Sequence, residues 1–232
     1  PMVSARDYGR LAPLHELDAS FNNTVKHVQT ETVMGEKPAR YAVRRGEVIA
    51  GDRETMRDRS PFSVLICTVA PLGQDPDGIE AGMVYAESGV PVGFMAMPNT
   101  GSTAPATIAG TISQGDAEIV SAMVLIQMAY PGAPIYHSLM PGMTHPRTGA
   151  YYSHDSHVYA IGVELAHMWG VPTLAGMGGT DAHGLGWESG MAGGKSQLLS
   201  ALCGAETGNG MGLLRGSTLL YPEALVLDSE IY

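Results

Sequence analysis

Cysteine, basic residues and long apolar runs are all scarce in this 232-residue chain. Two cysteines, Cys67 and Cys203, are too few for a disulfide framework, so a reducing, cytoplasmic setting is the expectation. Thirteen Lys and Arg stand against 23 Asp and Glu, a formal net charge of −10. Nucleic-acid binding needs clustered cations against phosphates, and this balance argues against it. The acidic surplus suits solubility and is compatible with a cationic ligand. No stretch approaches the roughly 20 apolar residues of a membrane-spanning helix.

Several catalytic signatures are missing too. No G-x-G-x-x-G follows the first expected strand, which removes support for the usual dinucleotide-binding sheet. No H-E-x-x-H or paired-cysteine motif points to zinc. No G-x-S-x-G marks a hydrolase nucleophile, and no carboxylate pair at fixed spacing points to glycoside hydrolysis. The sequence opens in PMVSARDYG without an initiator Met and closes soon after a polar turn. We therefore expect a fragment of a longer protein, read as a single domain over residues 1–232.

What is present is an alternation. Short apolar or β-branched runs are followed by glycine-rich polar loops and then by helical stretches. Strands are expected at 25–32, 62–69, 92–97, 134–139, 171–175 and 210–214. Helices are expected at about 38–50, 77–88, 106–129, 154–169 and 187–202. The run FSVLICTV from Phe62, bounded by Pro61 and Pro71, is the least ambiguous strand. Asp75 or Asp77 can cap the helix that follows, and Gly89 can stop it. Alternating strands and helices imply βαβ units and a parallel α/β sheet. About six units are present, where eight close a (β/α)8 TIM-type barrel. The expected fold is an incomplete barrel of that type, with a doubly wound sheet as its rival. Polar residues gather at the expected C-terminal strand ends, where barrel enzymes keep their sites.

Candidate residues come from those ends. Asn99 opens a Pro/Gly/Ser/Thr-rich loop. Tyr136 and His137 are neighbours in a strand, so one faces the interior and the other faces outward. His154 and His157 have i, i+3 spacing at a helix start and could share a face with a metal, although Ser153 and Asp155 serve equally as helix caps. Asp155 is retained as a substrate-loop candidate. Asp181 and His183 follow the glycine run 176–179, where backbone can approach a ligand closely. Tyr136, Tyr151 and Tyr152 offer aromatic faces to a quaternary ammonium group.

Four segments in order resemble the trimethylamine methyltransferase family. They are Pro98 to Gly110 (PNTGSTAPATIAG), Pro131 to Ile135 (PGAPI), Val158 to Asp181 (VYAIGVELAHMWGVPTLAGMGGTD) and Leu225 to Ile231 (LVLDSEI). The resemblance implies a β/α barrel that moves a methyl group from an amine to cobalt(I) of a corrinoid carried by a partner protein. Family members run to nearly twice this length. The best-known members carry pyrrolysine, whereas this chain shows only ordinary residues. It therefore looks closer to members that demethylate quaternary amines such as glycine betaine. Cobalt(I) is the nucleophile in that chemistry, so the protein has to orient the donor and exclude water. On this reading Asp181, His183, His137, Asn99, Asp155 and Tyr136 lie near substrate. An inactive relative that binds a small cation or the corrinoid protein is the alternative.

Overall fold

The structure, a computed structural model, describes residues 5–153 and 156–231. The chain divides into two compact units. The first contains residues 1–68, 74–94 and 120–136; the second contains 69–73, 95–119 and 137–232.

The first unit holds β1 (Val28–Thr30), β2 (Phe62–Val69 up to Thr68) and the leading halves of β3 (Val92–Ala96) and β4 (Ile135–Leu139). They adjoin in chain order, β1-β2-β3-β4. Val28 pairs with Phe62 and Thr30 with Val64 in a parallel ladder. A proline stands at the entries of β2, β3 and β4 and accepts from the strand before it. The Val28, Val64 and Val92 N–H groups donate to the carbonyls of Pro61, Pro91 and Pro134 at 3.1, 3.0 and 2.9 Å. Proline has no N–H to leave unpaired at a strand start, yet its carbonyl still serves the ladder. Chain order without reversal is the barrel pattern, whereas a doubly wound sheet reverses direction.

Helices cover this sheet: α1 (Ala12–Asn23), α2 (Glu36–Ala50), α3 (Arg53–Asp58) and α4 (Pro76–Ser88). The α4 boundaries follow the sequence signals. The Asp75 carboxylate accepts from the Gly78 N–H at 2.9 Å, Pro76 takes the first turn, and Gly89 turns left-handed at φ 80°. Phe62, Val64, Leu65 and Ile66 are fully or almost fully buried. Each contributes about 1.5–3 kcal/mol against the entropy of ordering the strand.

In the second unit the trailing half of β4 continues the pattern. His137 bridges Thr173 in parallel, and its N–H donates to the Pro172 carbonyl at 2.9 Å. Next, β5 (Leu174–Gly176) pairs in parallel with β6 (Thr207–Asn209). Helices α5 (Ile108–Ala129), α6 (Ser156–Met168), α7 (Trp187–Leu202) and α8 (Pro222–Ile231) complete the chain, with α5 passing from the second unit into the first.

Two expectations are corrected. The sixth strand is 207–209, not 210–214; Leu213–Leu214 instead forms an antiparallel pair with Leu219–Leu220. Gly210 and Gly212, at φ 116° and 78°, break the run that looked like a strand. The loop expected over 140–152 contains a hairpin, with Gly142–Thr144 antiparallel to Tyr151–Ser153. Parallel α/β architecture is present, and neither unit by itself closes a barrel among the described residues. No described helix is long and apolar enough to cross a membrane.

Candidate functional site

Asn99 and Asp181 are drawn together in the second unit by a small sheet. Asn99–Thr100 runs parallel to Gly142–Thr144, with Asn99 beside Gly142. Gly142 in turn lies opposite Ser153 in the hairpin. The Ser153 N–H and hydroxyl both donate to Asp181, at 2.9 Å to Oδ2 and 3.0 Å to Oδ1. One carboxylate thus grips the end of one strand through two bonds.

Between Asn99 and Asp181 stands the ring of Tyr151. A Cβ on Gly142 would collide with both this ring and the Asn99 side-chain oxygen. A Cβ on Gly216 would stand 2.8 Å from the ring and 3.2 Å from Oδ1 of Asp181. Two glycines therefore make the room in which Asn99, Tyr151 and Asp181 meet. Burial pushes the Tyr151 phenol up, and the Asp181 charge adds to the effect, so the ring stays neutral. Oδ1 of Asn99 is buried and has no hydrogen-bond partner among the described residues. A buried acceptor without a donor is costly and calls for a functional account.

The turn opposite is strained. Arg215, Gly216 and Ser217 have φ of 52°, 59° and 66°, three consecutive left-handed residues. It is clamped to the Asp181 loop. The Arg215 N–H donates to the Ala182 carbonyl at 3.0 Å, and the Gly216 N–H to that of Thr180 at 3.2 Å. Behind this loop is a cavity of about 310 Å³, lined by Gly178, Thr180, Leu214, Leu227 and Asp228 among others. Asp228 is buried and holds the Gly212 N–H at 2.8 Å.

The other sequence candidates fall elsewhere. His137 is fully buried, and its Nε2 meets Asp116 at 3.0 Å. Asp116 also accepts from the Trp169 indole N–H at 3.2 Å. His137 therefore belongs to the layer under α5 and the end of α6, as a strand neighbour of Tyr136 must if Tyr136 faces the other way. Tyr136 lies in the first unit, its ring stacked over Gly93, where a Cβ would collide with it. Its hydroxyl donates to the Val64 carbonyl and accepts from Gln29, both at 2.9 Å, and burial pushes its phenol up. Both lone-pair and proton capacity are used internally, which fits a packed interior rather than a ligand contact. His183 is exposed on the loop after Asp181. Asp155, and His154 beside it, lie outside the described residues.

Ser153, Gly142 and Gly216 are neighbours of Asn99, Tyr151 and Asp181 that sequence reading missed. Gly142 and Gly216 gave no signal beyond being glycine in a glycine-rich chain. Ser153 looked like a helix cap because it precedes α6.

The family model described as trimethylamine methyltransferase matches residues 12–232. The chain belongs to the trimethylamine methyltransferase family. It is 29% identical over 235 residues to trimethylamine methyltransferase MttB of Methanosarcina barkeri, covering 99% of this chain and 48% of that protein. It is 29% identical over 239 residues to MttB of Desulfitobacterium hafniense, covering 100% and 47%. Glycine betaine methyltransferase of Desulfitobacterium hafniense is 26% identical over 201 residues, 85% of this chain and 42% of that protein. The chain spans about half the length of these relatives.

Proposed function

We propose that this chain supplies the substrate-holding part of a β/α-barrel methyltransferase, which presents a quaternary methylated amine such as a betaine to a corrinoid protein in the cytoplasm. The observation that carries the reading is the arrangement of Asn99, Tyr151 and Asp181, where an unpartnered oxygen and a carboxylate flank the two edges of a neutral ring. Those are acceptors and a π-face, with no cationic side chain among the three. A quaternary nitrogen has no N–H to donate. Its charge is spread over its methyl hydrogens, which suit a carbonyl oxygen, an aromatic face and a nearby anion.

The residues also fit a large acceptor. Residues 183–188 are exposed, and Gly184 and Gly186 have open space where a Cβ would stand. The open backbone at these two glycines, with the exposed side chains of Leu185 and Trp187 beside it, offers a surface to a broad planar ring. A corrinoid delivered there by its partner supplies cobalt(I) as the methyl acceptor, which is why the chain needs no nucleophile of its own. The chain's own residues have simpler tasks. Asp181 balances the ammonium charge while Ser153 fixes its orientation. Tyr151 and Asn99 position the methyl groups and exclude water. A quaternary donor departs as a neutral tertiary amine, so no acid is required at the nitrogen. This favours a betaine over trimethylamine.

Methyl transfer to cob(I)alamin, followed by its visible spectrum, tests the reading across glycine betaine, other betaines and trimethylamine. A methyl-cobalt signal with a quaternary amine is expected. Amine binding without a signal from any donor supports the alternative, a relative that binds a cation or the corrinoid protein without turnover.

A further inference from the structure

Helix α7 is inside out. Its buried positions are Ser189, Gly193, Ser196, Gln197 and Ser200, all small or polar. Its large apolar residues face outward, with Trp187 82%, Met191 58%, Leu198 63% and Leu202 75% exposed. At about 100° per residue these four fall in a stripe about 60° wide, opposite the buried face. A surface helix of a water-exposed unit normally shows the reverse pattern. A contiguous apolar stripe of this kind marks a surface that is covered in the working protein.

The spacing indicates what covers it. The stripe is symmetric about the midpoint between Gly194 and Lys195: Trp187 mirrors Leu202, and Met191 mirrors Leu198. Two copies of α7 crossing antiparallel at that point set Trp187 against the partner's Leu202 and Met191 against the partner's Leu198. Near the crossing the surface is low. A Cβ on Gly190 would meet nothing within 4 Å, and one on Gly194 would reach only Ile231 of α8, at 4.0 Å. Two backbones can therefore approach closely there. Ile231 and Leu227 of α8, 50% and 52% exposed, widen the patch. The six side chains expose on the order of 700 Å² per copy, so a two-fold contact buries on the order of 1,400 Å², within the range of stable specific interfaces.

We propose that α7 is the centre of an isologous two-fold interface between two copies of this chain. The substitution Met191→Lys, or Leu198→Lys, puts a charge in the contact without touching the buried face of α7.

Analytical ultracentrifugation of the 232-residue chain tests it. The expected mass is twice 24.4 kDa, falling to 24.4 kDa in Met191→Lys and Leu198→Lys with the circular dichroism spectrum unchanged. Disulfide trapping reads the register in a background with Cys67→Ser and Cys203→Ser. Gly194→Cys, next to the axis, cross-links to its own copy. Trp187→Cys does not, but it cross-links to a copy carrying Leu202→Cys. A chain that stays monomeric at tens of micromolar overturns the proposal, including the case in which a longer version of the chain shields Trp187 from acrylamide by itself. A dimer that survives both lysine substitutions, or one in which Trp187→Cys cross-links to itself, overturns it equally.

Discussion

Asp181 accepts two hydrogen bonds from one residue, the N–H and the hydroxyl of Ser153, at 2.9 and 3.0 Å. The pair ties the glycine-rich strand end to the hairpin that carries Tyr151. The two partners are expected to separate under substitution. Asp181→Asn removes the charge and should weaken betaine binding by about 10-fold or more, roughly 1.4 kcal/mol or above, while the chain remains folded. Ser153→Ala removes one bond of two and should cost about 1 kcal/mol of stability, with a smaller loss of affinity. Calorimetry and urea titration on both variants distinguish these effects. An equal loss of affinity in the two would mean that the Asp181 charge is irrelevant.

Gly142 is irreplaceable if the Tyr151 ring must stand where it does. Gly142→Ala places a methyl group against both the ring and the Asn99 oxygen. The expected cost is about 1–3 kcal/mol of stability, as for other overpacked sites, together with loss of betaine binding. A fully stable variant that still binds would show that Tyr151 has another place to go.

His137 and Asp116 provide a control outside the site. Asp116→Ala leaves the fully buried His137 ring without its partner, and Trp169 without its acceptor. Stability should fall by about 1–3 kcal/mol with betaine affinity unchanged, read by denaturant titration and calorimetry. A specific loss of betaine affinity would return His137 to the binding site.

Cys67 gives a pH signature. Burial first, and then the charges of Glu31 and Asp75, push its thiol up to about 11. Below pH 9 both folded and unfolded chains keep this proton. Between about pH 9 and 11 only the unfolded chain loses it, so stability falls as pH rises through that window. Denaturant midpoints at pH 8, 9.5 and 10.5 should decline more steeply in the native chain than in Cys67→Ser. Parallel declines would contradict the assignment. Tyr85 and Tyr136, also pushed up by burial, act in the same direction from about pH 10 upward, and equally in both proteins.

Much of the fold could be read from the sequence because its signals were local. Five of six strands and all five expected helices were placed by apolar runs and by caps such as Asp75 and Gly89. Helices α1 and α3 were missed as well, although α3 carries a local cap, the Asp52 carboxylate accepting from the Thr55 N–H at 2.7 Å; other misses have reasons that are not local. The run 210–214 carries strand-like residues, but two left-handed glycines override them. Helix α8 was hidden because Tyr221-Pro222 reads as a turn, although proline also suits a first helical turn. Of the candidate site, Asn99 and Asp181 could be picked out as polar residues at strand ends. Their partners were not, because Ser153 and Gly216 lie 28 and 35 positions from Asp181 in sequence and meet it only in the fold. Tyr136 and His137 lie at the other extreme. Alternation showed that they face opposite ways, but it could not show that the Tyr136 hydroxyl would be bonded to Val64 and Gln29, or that His137 would be fully buried with Nε2 on Asp116 and Nδ1 unpartnered among the described residues.

The most direct test of the central claim compares glycine betaine with 3,3-dimethylbutanoate, which replaces the nitrogen by carbon and keeps the shape. Isothermal titration of the chain should show betaine binding at least about 10-fold more tightly. Asp181→Asn should remove most of that preference. Equal binding of the two ligands, or a preference that survives Asp181→Asn, would contradict a methylated-ammonium site at Asn99, Tyr151 and Asp181.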